Sequence, residues 1–413
     1  MSTFQTAISG LQTASTDLQV LGNNISNANT VGFKQSNAEF ADAYAAAIAG
    51  NAPTNGQIGI GTQVATVAQQ FSQGNIQTTS NPLDVAINGN GFFQFNYNGG
   101  TVYGRDGQFQ LDSNGYVVDS NGGKLIGTPA ANGVLGGSSG PLQITQGMLQ
   151  PQATSGVVLN LNLNASSTPV PSGTAFSPAN PSSYNYSTST TVYDSLGSPH
   201  LLTTYYQLAS GGGSGTTWNV YYSVDGTTAT SGVTSGAAGT LQFSAGGTVS
   251  GSPTLGINNL SWADGATSGS IQVGYAGSTN YATASAVNSV NDNGYAAGSL
   301  SNLSISADGT IFGQYSNGQS SLLGQITLTN FAAPQFLQRT GNNYFAATNA
   351  SGTPLTGTPS SGGLGTLQSS AVESSNVNLS SQLVDLIVAQ QAYQANAQTI
   401  KTQNTVLQTL LSL

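Results

Sequence analysis

The two ends of this chain carry apolar residues at alternating steps of three and four, a spacing typical of a coiled-coil seam, and no other feature constrains the fold as strongly. One seam lies between residues 4 and 25 and the other between residues 379 and 411, where no Gly or Pro follows Gly365. The predicted seam residues are Phe4, Ala7, Leu11, Ala14, Leu18, Leu21, Ile25, Leu379, Leu383, Leu386, Tyr393, Ala397, Ile400, Leu407 and Leu411.

These seams predict self-assembly. A helix from Leu379 to Leu413 would be roughly 50 Å long, and each Leu or Ile left exposed forgoes roughly 1.5–3 kcal/mol of burial. The N-terminal helix, predicted over about residues 3 to 27, is too short to cover the whole second seam. We therefore expect a coiled-coil-like pair of the two helices, with further copies of the same chain covering the remainder.

The region between the two helices has the features of antiparallel β structure. Short alternating runs are separated by Asx-Gly turns, as at Asn114-Gly115 and Asn317-Gly318. Leu83 to Ile87 and Phe92 to Phe95, separated by Asn88-Gly89-Asn90-Gly91, predict a hairpin. Gly, Ser, Thr and Pro concentrate at residues 127–140, 165–183, 209–217 and 352–363, which predicts loops or linkers there. The expected fold is mainly β with α-helical termini.

Since the two helical ends must meet, the β domains between them are expected to be nested. We predict a terminal helical domain (1–33 and 372–413), a linker or joint (34–71 and 356–371), an inner β domain (72–147 and 296–355) and an outer β domain (148–295). The joint is expected to be extended and rich in Gly and Pro up to about Phe71.

Composition excludes several classes of function. Only 5% of the residues are charged and the net charge is −9, which excludes binding to nucleic acid or to an anionic membrane. There is no Cys and one His, His200, so we predict no catalytic set, no cofactor and no metal site. The Asp112 and Asp119 loops lack EF-hand spacing and are interpreted as hairpin turns. Neither a cleaved signal peptide nor a membrane span is expected.

Several motifs resemble the hook proteins of the bacterial flagellar axial superfamily from end to end. The N-terminal motif is carried by Asn23, Asn24, Asn27, Asn29, Gly32, Phe33 and Lys34. Further matching segments are Leu83–Ile87 with Gly91–Phe93, Tyr103–Phe109, Leu322–Ile326, Glu373–Leu379 and Ala389–Thr402. The terminal motifs are shared across the superfamily, whereas the length and the β insertion around residues 183–200 favour hook over rod.

This resemblance implies a homopolymer that forms a tube, with the paired terminal helices in its inner layer and β domains outside. It also implies export by the type III apparatus without a cleaved signal, a location in the extracellular flagellar hook and basal body, and contacts with rod, hook cap and hook–filament junction proteins. Bending during torque transmission is expected to use the linkers near residues 50–62 and 352–363.

Two alternatives stay open at this stage. A distal rod protein would share the terminal motifs, and a secreted β-rich adhesin or glycan-binding protein would account for the uncharged β region but not for the heptads. Gln391 stands where relatives often carry Arg, and the overall charge is low, so no salt bridge between subunits is predicted.

Overall fold

The computed structural model describes residues 2–43, 61–144, 147–171, 173–212, 215–226, 239–251, 253–260, 262 and 264–411. Among these residues there are two α-helices, α1 (Ser2–Ser26) and α2 (Leu379–Leu411), at the ends where the heptads predict them. Neither of them is long and apolar enough to span a membrane. Most of the remaining elements are strands, so the chain is mainly β with helical termini that pack together.

The chain divides into two compact units. The first unit comprises Met1–Gln146, Ser301–Gln314 and Ser320–Leu413, and the second comprises Gly147–Leu300 and Tyr315–Gln319. Along the sequence, the second unit is thus an insertion within the first.

Eleven of the strands precede the second unit. They are β1 (Ser36–Ala43), β2 (Gly61–Gln69), β3 (Ile76–Thr78), β4 (Val85–Asn88), β5 (Phe92–Tyr97), β6 (Gly100–Gly104), β7 (Gln110–Leu111), β8 (Val117–Val118), β9 (Lys124–Ala131), β10 (Val134–Leu135) and β11 (Gly140–Pro141).

The second unit carries the next nine strands and packs as a β-sandwich. They are β12 (Gly156–Asn162), β13 (Tyr186–Tyr193), β14 (Pro199–Gly212), β15 (Gly215–Val224), β16 (Gly239–Phe243), β17 (Val249–Ser250), β18 (Thr254–Leu260), β19 (Gly269–Gly274) and β20 (Ala286–Asp292). One sheet has the order β13-β14-β15-β16-β17 and the other β18-β19-β12-β20. Apolar residues of both sheets, including Leu159, Trp218 and Ile271, share one buried core. The pairing of β12 with β19 is parallel, a departure from the antiparallel pattern expected throughout.

The strands after the second unit complete the sheets of the first. They are β21 (Leu300–Ile305), β22 (Thr310–Tyr315), β23 (Ser320–Ile326), β24 (Leu328–Asn330), β25 (Gln338–Gly341), β26 (Tyr344–Ala346), β27 (Leu355–Gly357), β28 (Thr366–Ser369) and β29 (Ala371–Glu373). The largest sheet follows the path β21-β22-β23-β9-β5-β6-β26-β25. It is held by edge-to-face aromatic contacts of Phe92 with Phe71, Phe331 and Phe345, at centroid distances of 5.3–6.1 Å.

Several predicted turns connect paired strands. Asn114-Gly115 joins β7 to β8, Asn121-Gly122 joins β8 to β9, and Asn317-Gly318 joins β22 to β23, each as antiparallel neighbours. Asp112 and Asp119 accept backbone N–H groups two and four residues ahead, at 2.8–3.0 Å. Their carboxylates therefore stabilise turns, as the sequence predicts.

The hairpin predicted between residues 83 and 95 is wrong. β4 pairs with β28 and β5 pairs with β6, so the two predicted partners lie in different sheets. The backbone of Gly365 packs against the turn between β4 and β5. Its N–H donates to Asn90 O at 2.7 Å, and its Cα would lie 3.0 Å from a Cβ on Gly89. A segment from the far end of the chain thus takes the place of the local partner strand.

Parts of the predicted linkers are paired strands. β1 and β2 form an antiparallel hairpin within residues 34–71, and β28, within residues 356–371, pairs with β4. β29 begins at the last residue of that range and pairs with β3. The segments at 127–140 and 209–217, predicted as loops, contribute to β9, β10 and β11 and to the β14–β15 pair. Small residues such as Gly, Ser and Thr can also occupy strands, because strand formation depends on packing against neighbouring strands. Composition alone therefore did not distinguish these strands from loops. Residues 44–60, which hold most of the linker predicted near 50–62, lie outside the described part.

Candidate assembly surface and its buried anchor

The two terminal helices run antiparallel. Asn24 Nδ2 donates to Gln382 Oε1 at 2.9 Å, and a Cβ on Gly10 would lie 2.9 Å from the side chain of Asn396. The two contacts are fourteen residues apart on α1 and fourteen residues apart on α2, in opposite chain directions. By this register Ser2, eight residues before Gly10, is level with Asn404, so the last turns of α2 extend beyond the start of α1.

The contact between the helices uses part of the predicted seam on α1, and on α2 it uses smaller residues that lie between the predicted seam positions. On α1 the predicted Ala7, Ala14 and Leu21 are buried, whereas Phe4, Leu11, Leu18 and Ile25 are half-buried. On α2 the buried residues are Gln382 and Ala389, one heptad apart, and neither belongs to the predicted seam. Small and amide side chains at the contact let the two backbones approach closely, which larger seam residues would prevent.

The predicted seam of α2 is largely uncovered within this chain. Leu386, Ala397 and Ile400 are half-buried, and the side chain of Leu411 lies outside the described residues. The exposed apolar side chains of α2 are Leu379, Leu383, Val384, Ile387, Val388, Tyr393, Val406 and Leu407, with exposed fractions of 38–60%. We call this set the α2 face. Eight exposed apolar side chains on one helix are more than the scattered single ones that a protein surface usually carries, which is typical of an interaction surface.

A buried amide fixes the end of α1. The side chain of Asn24 is fully buried, and it donates to Ser36 O at 2.8 Å and accepts from Ser36 N at 3.0 Å. Its second donor hydrogen reaches Gln382 of α2. One side chain of the N-terminal motif therefore connects α1, the first residue of β1 and the first turn of α2, with each polar atom paired.

Lys34, another motif residue, belongs to a buried ion cluster that we call the anchor: Lys34, Arg105 and Glu373. Lys34 Nζ lies 2.7 Å from Glu373 Oε1, and Arg105 Nη1 lies 3.2 Å from Glu373 Oε2. The side chains of Lys34 and Glu373 are completely buried and that of Arg105 nearly so. The anchor joins the motif loop, the turn after β6 and the segment leading into α2.

Further polar groups bind the anchor, although the buried Nε of Arg105 has no hydrogen-bond partner among the described residues. Lys34 Nζ donates to Ser72 O at 2.7 Å, Gly74 N–H donates to Glu373 Oε1 at 2.8 Å, and Arg105 Nη2 donates to Gly89 O at 2.9 Å. Burial lowers the pKa of Lys34 and of Arg105, and Glu373 opposes that shift by favouring their charged forms. Two cations thus depend on one carboxylate.

Gly32 and Phe33 hold the motif loop against the β region. Gly32 has φ +68°, and a Cβ there would come within 2.6 Å of the Arg105 backbone. Its N–H donates to Glu373 O at 2.7 Å. The buried ring of Phe33 faces the guanidinium of Arg339, whose Cζ lies 4.9 Å from the ring centroid. Only glycine allows this close approach.

The other motif asparagines lie nearer to solvent. Asn23 and Asn29 are exposed, and Asn27 is half-buried and donates to Asn23 O at 2.9 Å. Sequence reasoning identified Lys34 and placed Arg105 and Glu373 in matching segments, but it did not predict that the three residues pair. The sequence did contain a signal for this pairing. The chain has only five Lys and Arg residues and two Glu residues, so each of these charged residues is a candidate for a specific ion pair.

Asp106, next to the anchor, is predicted to make the first unit sensitive to pH. Burial raises the pKa of Asp106 to about 6, and its carboxylate accepts the Gln108 N–H at 3.1 Å. Because the folded state holds this proton more tightly than the unfolded state, stability should fall as pH rises from about 4 to about 6. Asp106→Asn should therefore stabilise the first unit at neutral pH by about 1–2 kcal/mol, after allowance for partial exposure.

Thermal unfolding followed by far-UV circular dichroism between about pH 4 and pH 7 would test this. Asp308→Asn is the matched control, because Asp308 also precedes a glycine and accepts a backbone N–H two residues ahead, but is exposed. An Asp106→Asn variant with the pH profile of the original chain would contradict the prediction.

Comparison with known proteins places the chain among flagellar proteins along most of its length. Four family models match: flagella basal body rod protein (residues 4–34), flagellar hook protein FlgE/F/G D1 domain (86–159), flagellar basal body protein FlaE D2 domain (160–295) and flagellar basal body rod FlgEFG protein C-terminal (368–413). The flagellar hook protein FlgE of Salmonella typhimurium is 40% identical over 416 residues, covering 99% of each chain. The chain belongs to the flagellar hook protein family.

Other relatives in the hook protein family also match over nearly all of their length. The hook protein of Escherichia coli is 40% identical over 99% of both chains, and that of Treponema pallidum is 31% identical over the whole of this chain and 99% of its own. The crystal structure of Helicobacter pylori flagellar hook protein FlgE2 shares the fold, with a TM-score of 0.53 at 14% identity over 72% of this chain and all of that one. The family is one of structural proteins of the flagellum.

Proposed function

We propose that this chain is the structural subunit that polymerises into the tubular, bendable flagellar hook and so transmits motor torque from rod to filament. The role is structural and not catalytic. The observation that carries the proposal is the α2 face, the set of exposed apolar side chains on a helix that packs against α1 through its few buried residues.

The α2 face needs a partner that the chain itself does not supply. Covering a Leu or Ile side chain contributes roughly 1.5–3 kcal/mol, so burying several of them would favour association strongly. Copies of the same chain fit because each presents the same face, and the spacing of the predicted seam, at residues 379, 383, 386, 393 and 407, suits contact with another helix.

The proposed partners follow from the family. Both terminal segments match models of rod proteins, which supports contacts with the rod at one end of the hook. We also propose contacts with hook cap and hook–filament junction proteins, export by the type III apparatus without a cleaved signal, and an extracellular location. The four-part division into helical, joint, inner β and outer β segments remains part of this proposal.

Bending is compatible with the chemistry of the surface. The chain has few charges, and its exposed polar groups are largely Ser, Thr, Asn and Gln, whose hydrogen bonds exchange with water at about 1 kcal/mol each. Hydrogen bonds between two such surfaces can therefore break and re-form with other partners at little net cost in free energy. We propose that the helices hold the polymer together while the polar β surfaces slide.

Electron microscopy of the purified full chain under polymerising conditions tests the proposal. Tubes are expected, together with a rapidly sedimenting fraction that forms only above a critical concentration. A matched variant with Ile387→Gln and Val388→Gln should stay monomeric with unchanged circular dichroism. Monomers that never form tubes, and that instead bind glycans, would favour the adhesin alternative.

Assembly should depend weakly on salt. The two helices together carry three charged residues, Asp17, Asp385 and Lys401, so there are few ion pairs for salt to screen. Polymer yield measured by sedimentation between low and moderate ionic strength should therefore change less than about twofold. A steep fall in yield over that range would show that unrecognised ion pairs hold the subunits together.

A further inference from the structure

The charges of the second unit converge on one place. This unit contains no Lys or Arg, one His and four Asp residues, and three of those four carboxylates lie around the His. They are Asp194 after β13, Asp225 after β15 and Asp264 in the turn after β18. No cationic side chain within the unit balances three carboxylates except His200 itself, so the group is electrostatically incomplete.

The orientation of His200 is fixed from two sides. Its Nδ1 lies 2.7 Å from Asp225 Oδ2, and its ring stacks on Trp262 with centroids 4.3 Å apart. Asp225 is itself held because its other oxygen accepts the Leu201 N–H at 2.9 Å. A carboxylate that receives one ring N–H leaves the lone pair of the other nitrogen free, and this is the usual arrangement behind a metal-bound histidine.

The free nitrogen faces two further carboxylates. His200 Nε2 lies 3.4 Å from Asp194 Oδ2, and the ligand atoms of Asp194, His200 and Asp264 lie within 4.8 Å of one another. Asp194 is fully buried, and its Oδ1 accepts two backbone N–H groups at 2.8–2.9 Å, which leaves Oδ2 for another partner. Asp264 Oδ2 accepts the Ser198 hydroxyl at 2.9 Å.

We propose that Asp194, His200 and Asp264 bind a divalent transition-metal ion such as Zn²⁺, with Asp225 as the positioning residue. One nitrogen and two carboxylate oxygens form a borderline donor set that suits this class of ion better than Mg²⁺ or Ca²⁺, which prefer all-oxygen shells. Tetrahedral ligand atoms lie about 3.3 Å apart, so small side-chain rotations would close the site. A water molecule would take the fourth position.

Such an ion would brace three segments of the second unit. Asp194 and His200 flank the turn between β13 and β14, Asp225 follows β15, and Asp264 belongs to the turn before β19. Because the ion would bind the folded unit and not the unfolded chain, it would raise the stability of this unit in proportion to the logarithm of its concentration. The inference does not depend on polymerisation.

Isothermal titration of the full chain with ZnCl₂ tests this inference, in chelator-treated buffer at mildly alkaline pH and without an affinity tag. One equivalent should bind with a dissociation constant of about 10 μM or below. Trp262 fluorescence should change in parallel, and the melting temperature of the second unit should rise. MgCl₂ should produce none of these effects.

Variants separate ligands from structural roles. Asp264→Asn, in an exposed turn, should weaken Zn²⁺ binding at least 100-fold without loss of folding, and His200→Gln should do the same. Asp225→Asn should weaken it by about 10–100-fold, as for other carboxylates that orient a ligating histidine. Asp292→Asn is the control and should bind like the original chain. Absence of saturable binding below millimolar Zn²⁺ would overturn the proposal. So would binding by Asp264→Asn and His200→Gln that is as tight as that of the original chain, and the cluster would then be an ion pair only.

Discussion

Glu373→Gln is expected to lower the free energy of unfolding of the first unit by about 3–5 kcal/mol, because it leaves two buried cations without their shared carboxylate. The glutamine keeps the size of the side chain and an oxygen that can still accept the Gly74 N–H. The loss would therefore come from the charge, and not from a cavity.

The two units can be followed separately in this experiment. Both described α-helices belong to the first unit, whereas Trp218 and Trp262, the only tryptophans, belong to the second. Denaturation followed by the helical signal in far-UV circular dichroism should shift, and denaturation followed by tryptophan fluorescence should not.

Glu39→Gln provides the matched control for Glu373→Gln. Glu39 is the only other glutamate and is exposed in β1, so its replacement should change stability by less than about 0.5 kcal/mol. If Glu373→Gln proved as stable as Glu39→Gln, the anchor would contribute no net stability and its role in joining the chain ends would need another basis.

Truncation after Thr405 is expected to abolish polymerisation while leaving the folded chain intact. The antiparallel register places Asn404 level with Ser2, so the removed residues extend beyond α1 and are not part of the pair. The truncation removes Val406 and Leu407, which are about half exposed in the single chain. Their loss therefore costs the monomer little and removes apolar surface that only a neighbouring copy could cover.

Sedimentation and electron microscopy would measure polymerisation, and circular dichroism with thermal unfolding would measure folding of the same samples. Leu407→Met in the full-length chain is the control, since it keeps an apolar side chain of similar volume and should still polymerise. Normal tubes from the truncated chain would refute a role of the C-terminal overhang in assembly.

The sequence predicted the local elements well where one periodicity dominated. Alternating steps of three and four gave both helices within about two residues, and Asx-Gly pairs gave turns such as those around Asn114 and Asn317. It failed where a distant segment competed with a local one. β4 pairs with β28 instead of β5, because Gly365 returns from the far end of the chain and fills the predicted turn.

The candidate site was predictable only in part. The motif residues Asn24 and Lys34 stood out in the sequence, but their partners Gln382 and Glu373 lie more than 300 residues away, where no local pattern connects them. The cluster around His200 was missed for the same reason, because Asp194, Asp225 and Asp264 are single acids in unrelated turns.

By itself, the sequence determined that both ends are helices with apolar seams, that the region between them is β, and that few charges are available anywhere. Only the tertiary structure decided which side chains of the two helices are buried within the chain and which stay exposed. The reason is steric: Gly10, Ala14 and Ala389 allow the two backbones to approach, so the smaller face is buried between them. Many of the larger leucine, isoleucine and valine side chains of α2 thereby stay exposed in the single chain.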